Sequence, residues 1–137
     1  MTQEDKELLL KDLCARLPYG VKYECSDIKN VWKLNSILTE RRGGSTFLDI
    51  YNPLELCKPY LFPLSSMTVE QMCKVQNLLP DNCNISFQNQ KITFYDEGNI
   101  QLKQLEKIFK FFNLYHLDYR GLIEKGLAID ATGKNIY

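Results

Sequence analysis

The chain has 137 residues with 17 basic and 17 acidic side chains, so its formal net charge at pH 7 is zero. Hydrophobic residues make up 45% and charged residues 25% of it, which excludes a wholly disordered chain or a fibrous repeat. This length predicts one domain whose core forms without metal or disulfide support. Neutrality excludes a protein that coats nucleic acid indiscriminately, and it leaves a small local contact open.

The N-terminal residues and the apolar runs predict a soluble cytoplasmic protein. Residues 1–6 are polar and acidic, whereas a secretory signal begins basic and continues apolar. The apolar runs span a few residues, far below the roughly 20 needed to cross a bilayer. We therefore expect no contact with a membrane.

Five cysteines occur without any Cys-x-x-Cys pair, and the chain has a single histidine. This pattern predicts neither a structural zinc site nor a disulfide framework, and no cofactor. Cys14 and Cys73 fall on apolar faces of predicted helices, where a free cysteine acts as a small hydrophobic residue.

The first predicted element is a helix that ends at Pro18-Tyr19-Gly20. Thr2 and Asp5 have the spacing of a capping box. The predicted apolar face carries Leu9, Leu10, Leu13, Cys14 and Leu17. The predicted polar face carries Glu7, Lys11, Asp12 and Arg16.

Short strands and a turn are predicted next. Val21, Tyr23 and Cys25 alternate with charged residues, which is typical of a half-buried strand. Alternation from Trp32 predicts a second strand that continues to about residue 39. Residues 42–45 then form a glycine-containing hairpin turn, and residues 46–51 a third strand.

Three prolines, Pro53, Pro59 and Pro63, space out the following segment. Because proline fixes φ and lacks an N–H group, residues 52–66 are predicted to be extended and not helical. We expect this segment to lie over the surface of the sheet.

The second half is predicted to contain two helices and a hairpin. Thr68 and Gln71 repeat the capping-box spacing. The helical stripe that follows is Val69, Met72, Cys73, Gln76 and Leu79. Residues 85–95 predict a hairpin, and Gly98-Asn99 opens a long helix. The apolar stripe of that helix is Leu102, Leu105, Ile108, Phe109, Phe112 and Tyr115.

Together these elements predict an α+β fold in one domain, residues 1–137. An N-terminal helix precedes a small bent antiparallel sheet, which could be part of a barrel. A helix, a hairpin and a long C-terminal helix follow. Residues 1–66 and 67–137 are candidate sub-structures, the first β-rich and the second helix–hairpin–helix.

The last helix carries the most suggestive charge pattern. Lys103, Lys107 and Lys110 share one face, and Phe111 lies beside the core stripe. Cations that follow phosphates, with rings that stack on bases, form single-strand binding surfaces. The alternative is a solvated helix face, which the intervening Glu106 favours.

A second basic spot is the predicted hairpin loop with Arg41 and Arg42. These two arginines are candidate contacts for nucleic acid or for an acidic partner. The simpler interpretation is that they are ordinary solvated charges on a turn.

The densest group of titratable side chains is His116, Asp118, Tyr119 and Arg120. An imidazole near a carboxylate can perform acid–base chemistry. A histidine at the end of a helix also favours the helix dipole and the free carbonyls, and we prefer that interpretation. The sequence has no nucleophile motif and no metal cluster, and its acid pairs, Glu4-Asp5 and Asp96-Glu97, suit helix caps better than catalysis, so it does not predict an enzyme.

Three strings resemble a family of small uncharacterised proteins that are frequent in phages, prophages and mobile elements of gut anaerobic bacteria. They are MTQEDKELLLKDLCARLPYGVK at residues 1–22, KPYLFPLSSMT at 58–68 and DYRGLIEKGLA at 118–128. The resemblance implies a genomic setting and transfers no catalytic residue. Relatives often carry a histidine before the Asp-Tyr-Arg string, which fits a shared surface or a shared helix end.

The expected function is therefore that of a small non-enzymatic interaction protein, with a host or phage protein as its partner. The alternative is a nucleic-acid-binding module that uses the lysine face of the last helix and the Arg41-Arg42 loop.

Overall fold

A computed structural model describes residues 1–40, 44–79, 83–88, 91–96 and 102–137. Its helices are α1 (Gln3–Arg16), α2 (Val69–Asn77) and α3 (Leu102–Leu114). Its strands are β1 (Lys22–Cys25), β2 (Ile28–Lys33), β3 (Ile37–Thr39), β4 (Thr46–Leu48), β5 (Asn52–Pro53), β6 (Cys57–Pro63), β7 (Cys83–Gln88), β8 (Lys91–Asp96), β9 (Leu117–Asp118) and β10 (Ile129–Asp130). Single 3₁₀ turns cover Leu17–Tyr19, Leu54–Leu56 and Leu64–Ser66. The predicted α+β class is confirmed.

Strand β6 lies at the centre of the largest sheet. It pairs antiparallel with β1, which pairs antiparallel with β2. On its other side β6 pairs parallel with β10 and β9. The predicted strands pair antiparallel, and the sheet becomes mixed because the C-terminal residues return from α3 to the far edge of β6. Among the described residues, β3, β4 and β5 form a second open sheet, and β7 and β8 form the predicted hairpin.

The prediction that the proline-spaced segment lies over the surface of the sheet is wrong. This segment supplies the central strand of the sheet. The amide of Ser26 donates to Leu56 O (2.8 Å), which makes that antiparallel pair hydrogen-bonded. Because the two kinds of pair alternate, Pro59 opposite Tyr23 occupies a non-hydrogen-bonded position, where its nitrogen points away from β1. The missing N–H of Pro59 therefore leaves the β1–β6 ladder intact.

Helix α1 confirms the predicted capping box and part of the predicted apolar face. Leu9 and Leu13 are fully buried. The prediction that Asp12 and Arg16 face solvent is wrong, because they neutralise each other in an ion pair with both side chains fully buried. Cys14, expected on the apolar face, is exposed.

Helix α2 confirms its capping box, but it buries a different face. Val75 and Leu79 are buried, whereas Val69, Met72 and Cys73 are exposed. The predicted stripe is wrong apart from Leu79, because this short helix packs against the core through its last turn.

The predicted second strand is divided between two sheets. Strand β2 ends at Lys33, and β3 pairs instead with β4. The carboxylate of Asp49 draws the intervening backbone away, since its Oδ1 accepts from Asn35 N (2.9 Å) and Ser36 N (3.0 Å). Asp49 and Ile50 have positive φ values, which end β4 before the predicted residue 51.

Strands β3 and β4 are antiparallel, with Thr39 opposite Thr46, as a hairpin requires. Residues 41–43 of the predicted loop lie outside the described residues.

Helix α3 packs through its second half. Ile108 and Phe112 are buried as predicted, whereas Leu102 and Phe109 are exposed. Its predicted start at Gly98-Asn99 lies outside the described residues.

Two hydrophobic clusters organise the described residues. The first joins α1 to β1, β4 and β6 through side chains that include Leu9, Leu13, Tyr23, Leu48 and Leu61. The second joins α2, α3 and β9 through Leu64, Met67, Val75, Leu79, Ile108, Phe112 and Leu117. The candidate site lies at the surface of the second cluster.

Candidate binding groove

A groove of about 460 Å³ opens between the first turn of α2, the C-terminal end of α3 and the C-terminal segment. Its principal lining side chains are Phe62, Gln71, Leu114, Tyr115, His116 and Tyr137. The described residues that line it include no Asp, Glu, Lys or Arg. Its volume falls within the range of about 300–1,000 Å³ that is typical of ligand sites.

His116 is held rigidly at the inner wall of this groove. It follows α3 with φ at +57°, a left-handed conformation that is common just after a helix. Its N–H donates to Asn113 O (3.2 Å), and its carbonyl accepts from Phe62 N (2.8 Å). Its ring stacks on Tyr137, with centroids 3.8 Å apart and an interplanar angle of 12°.

The imidazole of His116 has unused hydrogen-bonding capacity. The side chain is 9% exposed, and its Nδ1 is buried without a partner among the described residues. Burial, followed by the positive charges of Arg16 and Lys22, lowers the pKa of His116 to about 4. His116 is therefore neutral at pH 7. The sequence interpretation, in which the imidazole at the end of α3 interacts favourably with the helix dipole, would need a charged ring.

Tyr137 forms a fixed wall opposite the end of α3. Its hydroxyl donates to Tyr60 O (2.8 Å) and accepts from Lys22 N (2.8 Å). The Lys22 ammonium donates to Ile136 O (2.6 Å) and lies 5.5 Å from the Tyr137 ring centroid. Burial raises the pKa of Tyr137 to about 12, so the hydroxyl keeps its proton at neutral pH.

The remaining wall is the N-terminal turn of α2. Thr68 Oγ1 accepts from Gln71 N, and Gln71 Oε1 accepts from Thr68 N, both at 3.1 Å. This capping box explains why the two residues stay together in the lining, since each side chain is tied to the backbone of the other.

Asp118 does not lie with His116 in the groove lining. Its side chain is fully buried, and its two carboxylate oxygens accept from Leu122 N and Ile123 N, each at 2.9 Å. Asp118 thus holds the turn that follows it, which is a structural role.

Arg120 extends a charge cluster around the buried Asp12, and Tyr119 packs against it. One oxygen of Asp12 pairs with Arg16 Nε (2.7 Å) and the other with Arg120 Nη1 (2.9 Å). Arg16 Nη2 also donates to Leu117 O (2.7 Å), which links α1 to β9. The Tyr119 ring lies 4.6 Å from Arg120 Cζ and 5.3 Å from Arg16 Cζ. The Asp-Tyr-Arg string is therefore attached to α1 through the Arg120–Asp12 ion pair and the contact of Tyr119 with Arg16.

The predicted nucleic-acid contacts are only partly brought together. Lys103, Lys107 and Lys110 are all exposed on α3, with the exposed Glu106 between them. Phe111 is half-buried, and its ring packs against Tyr115 at a centroid distance of 4.6 Å. The ring is therefore used in internal packing. Arg41 and Arg42 lie outside the described residues.

Sequence reasoning identified one groove residue, His116, and missed Phe62, Gln71, Leu114 and Tyr137 as members of a site. These residues come from separate segments of the chain, and only Gln71, through the capping box of α2, belongs to a polar motif. The capping box at Thr68 was the only further local signal near the groove.

Among the described residues, no group of three or more His, Cys, Asp or Glu side chains could hold a metal ion. No helix in the described ranges is long and apolar enough to cross a membrane. Comparisons with protein-family models, curated proteins and solved structures gave no match.

Proposed function

We propose that the protein is a non-enzymatic binding module whose groove receives an apolar segment of a partner protein. The observation that carries this proposal is the apolar rim of a groove whose described lining has no charged side chain. Leu114 is 53% exposed and Tyr137 42% exposed, and both line it. A partner side chain seated between them would remove apolar surface from water, which is the main favourable term in association.

The groove walls suit a side-chain anchor. Phe62, Tyr115 and Tyr137 present aromatic surface, and aromatic residues in rigid pockets contribute heavily to binding. The hydrogen bonds of Tyr137 and the backbone contacts of His116 hold these walls in place before binding. A preformed groove loses less conformational entropy when a partner arrives.

The polar residues of the groove support binding more than catalysis. The hydroxyl of Ser66 donates to Pro63 O (2.6 Å), and no described nucleophile or acid makes a hydrogen bond with the His116 side chain. The nucleophile–base geometry that covalent catalysis requires is thus not assembled among these residues.

The resemblance to phage and mobile-element proteins adds a setting to the proposal. The partner would be a host or phage protein, met in the cytoplasm. The nucleic-acid alternative has weaker support, since Phe111, the ring beside the lysine face of α3, packs against Tyr115.

A selection from a random peptide library with free C-termini tests the groove. We expect peptides with apolar residues to be enriched, and Leu114→Glu to bind them at least about tenfold more weakly, because a charge would enter the apolar contact. Tyr51→Glu is the matched control, since Tyr51 is 79% exposed and lies outside the groove. Equal binding by Leu114→Glu and the natural protein, or no enrichment at all, would contradict the proposal.

A further inference from the structure

We infer that the groove recognises the free C-terminal carboxylate of its partner, with the last apolar side chain seated between Phe62, Leu114 and Tyr115. This inference rests on the proposed function and specifies what the groove takes. Two observations carry it. The imidazole of His116 is nearly buried and has no hydrogen-bond partner among the described residues. The same groove is lined by the N-terminal turn of α2.

His116 supplies a hydrogen-bond donor to the groove. Its Nε2 makes no hydrogen bond with the described residues, yet it is not among the buried unpartnered atoms, so it keeps surface on the groove wall. A neutral imidazole carries one N–H, and a buried N–H without an acceptor is rarer than a buried lone pair. We therefore assign the proton to Nε2 and the lone pair to the buried Nδ1.

The charges that act on His116 favour an anion in front of it. Arg16 from α1 and Lys22 from β1 both oppose its protonation, and no acidic side chain in the described part of the chain acts in the other direction. Asp12 on α1 is already paired with Arg16 and Arg120. Tyr137, whose ring stacks on the imidazole of His116, is neutral. A carboxylate beside Nε2 would therefore meet a positive, weakly solvated environment.

The first turn of α2 reaches the groove through Thr68 and Gln71. The backbone N–H groups of Val69 and Glu70 have no intrahelical partner, and no described group accepts from them. Unpaired N–H groups and the helix dipole make such a turn favourable for an anion. The Glu70 carboxylate is exposed and pairs with Lys74 (3.4 Å), so it does not occupy this position.

A chain terminus satisfies both parts of the groove at once. In a C-terminal residue the carboxylate and the side chain are attached to the same Cα, so one anchors at His116 while the other enters the apolar part. Capture of a terminal carboxylate by a backbone turn is a recurrent mode of peptide recognition. An internal acidic side chain would have to bring its own flanking chain into the same groove.

Three peptide probes test the inference by NMR titration of the natural protein. They are N-acetyl-Ala-Ala-Leu-Phe with a free carboxylate, its carboxamide, and N-acetyl-Ala-Glu-Leu-Phe carboxamide. We expect the free acid to bind at least about tenfold more tightly than either amide, because each amide lacks the terminal charge. The carboxylate also favours protonation of His116, so affinity for the acid should rise from pH 7 to pH 5.

His116→Asn is the matched variant, because asparagine tolerates the left-handed conformation. It should bind the acid no more tightly than the amide, so the difference between these two probes should disappear. If it does not fold, the pH dependence of the natural protein decides the same point.

Equal affinity for the acid and its carboxamide would overturn the inference and leave the proposed function standing, provided Leu114→Glu still weakens both. Tight binding of the internal-Glu amide would overturn the choice of a chain terminus. If none of the probes binds, the inference is overturned, and the peptide selection with Leu114→Glu decides the proposed function separately.

Discussion

Asp12→Ala is expected to lower the free energy of unfolding by about 3–5 kcal/mol, the usual effect of removing one partner of a buried ion pair. The substitution leaves the fully buried Arg16 without its carboxylate and takes away the acceptor of Arg120. Arg16 cannot reach water, since its side chain is fully buried and Nη1 already lacks a partner. Urea denaturation monitored by circular dichroism measures the change.

Glu7→Ala is the control for this substitution. Glu7 is an exposed acid on the same helix, and its loss should change stability by less than about 0.5 kcal/mol. Adding Arg16→Met to Asp12→Ala should recover part of the loss, because it removes the uncompensated buried charge. A loss no larger for Asp12→Ala than for Glu7→Ala would contradict the buried cluster.

Asp118→Ala is expected to lower the free energy of unfolding by about 3 kcal/mol, since each donor left unpaired costs roughly 1–3 kcal/mol. The two donors are the amides of Leu122 and Ile123. Because Leu122 is fully buried in the first hydrophobic cluster, loosening this turn also disturbs packing against α1. Hydrogen exchange should show lost protection at both amides.

Asp130→Ala provides a matched comparison for Asp118→Ala. Asp130 makes the same kind of bond, from Thr132 N to its Oδ1 at 2.9 Å, but at an exposed position. Water replaces the lost acceptor there, so we expect less than about 1 kcal/mol. Similar losses for the two variants would show that Asp118 is not the structural clamp described above.

Local patterns predicted much of the fold. The capping boxes at Thr2 and Thr68 required only a pair of residues three positions apart, and both are present. The alternation of Val21, Tyr23 and Cys25 placed three side chains in the core correctly. These features depend on neighbours in the chain, which sequence patterns record directly.

Non-local features were missed for identifiable physical reasons. Pro59 fits a central strand only because it faces a non-hydrogen-bonded position of β1, and this register is set by the fold. Arg16 and Asp12 have the spacing of an ordinary surface pair, and their burial depends on Leu117, about 100 residues away. The composition of the chain reveals neither the register of Pro59 nor the burial of Asp12 and Arg16.

The candidate groove was harder still to predict. His116 was singled out, but the sequence interpretation relied on its charge, whereas burial beside Arg16 keeps it neutral. Its neighbours Phe62 and Tyr137 are ordinary aromatic residues until the chain brings them together.

Chemical-shift mapping with a peptide obtained from the selection tests the central claim, that the groove is the binding site of this protein. We expect the largest amide shifts at Phe62, Tyr115, His116 and Leu117. Shifts concentrated instead at exposed apolar positions elsewhere, such as Val31 of β2, would contradict it.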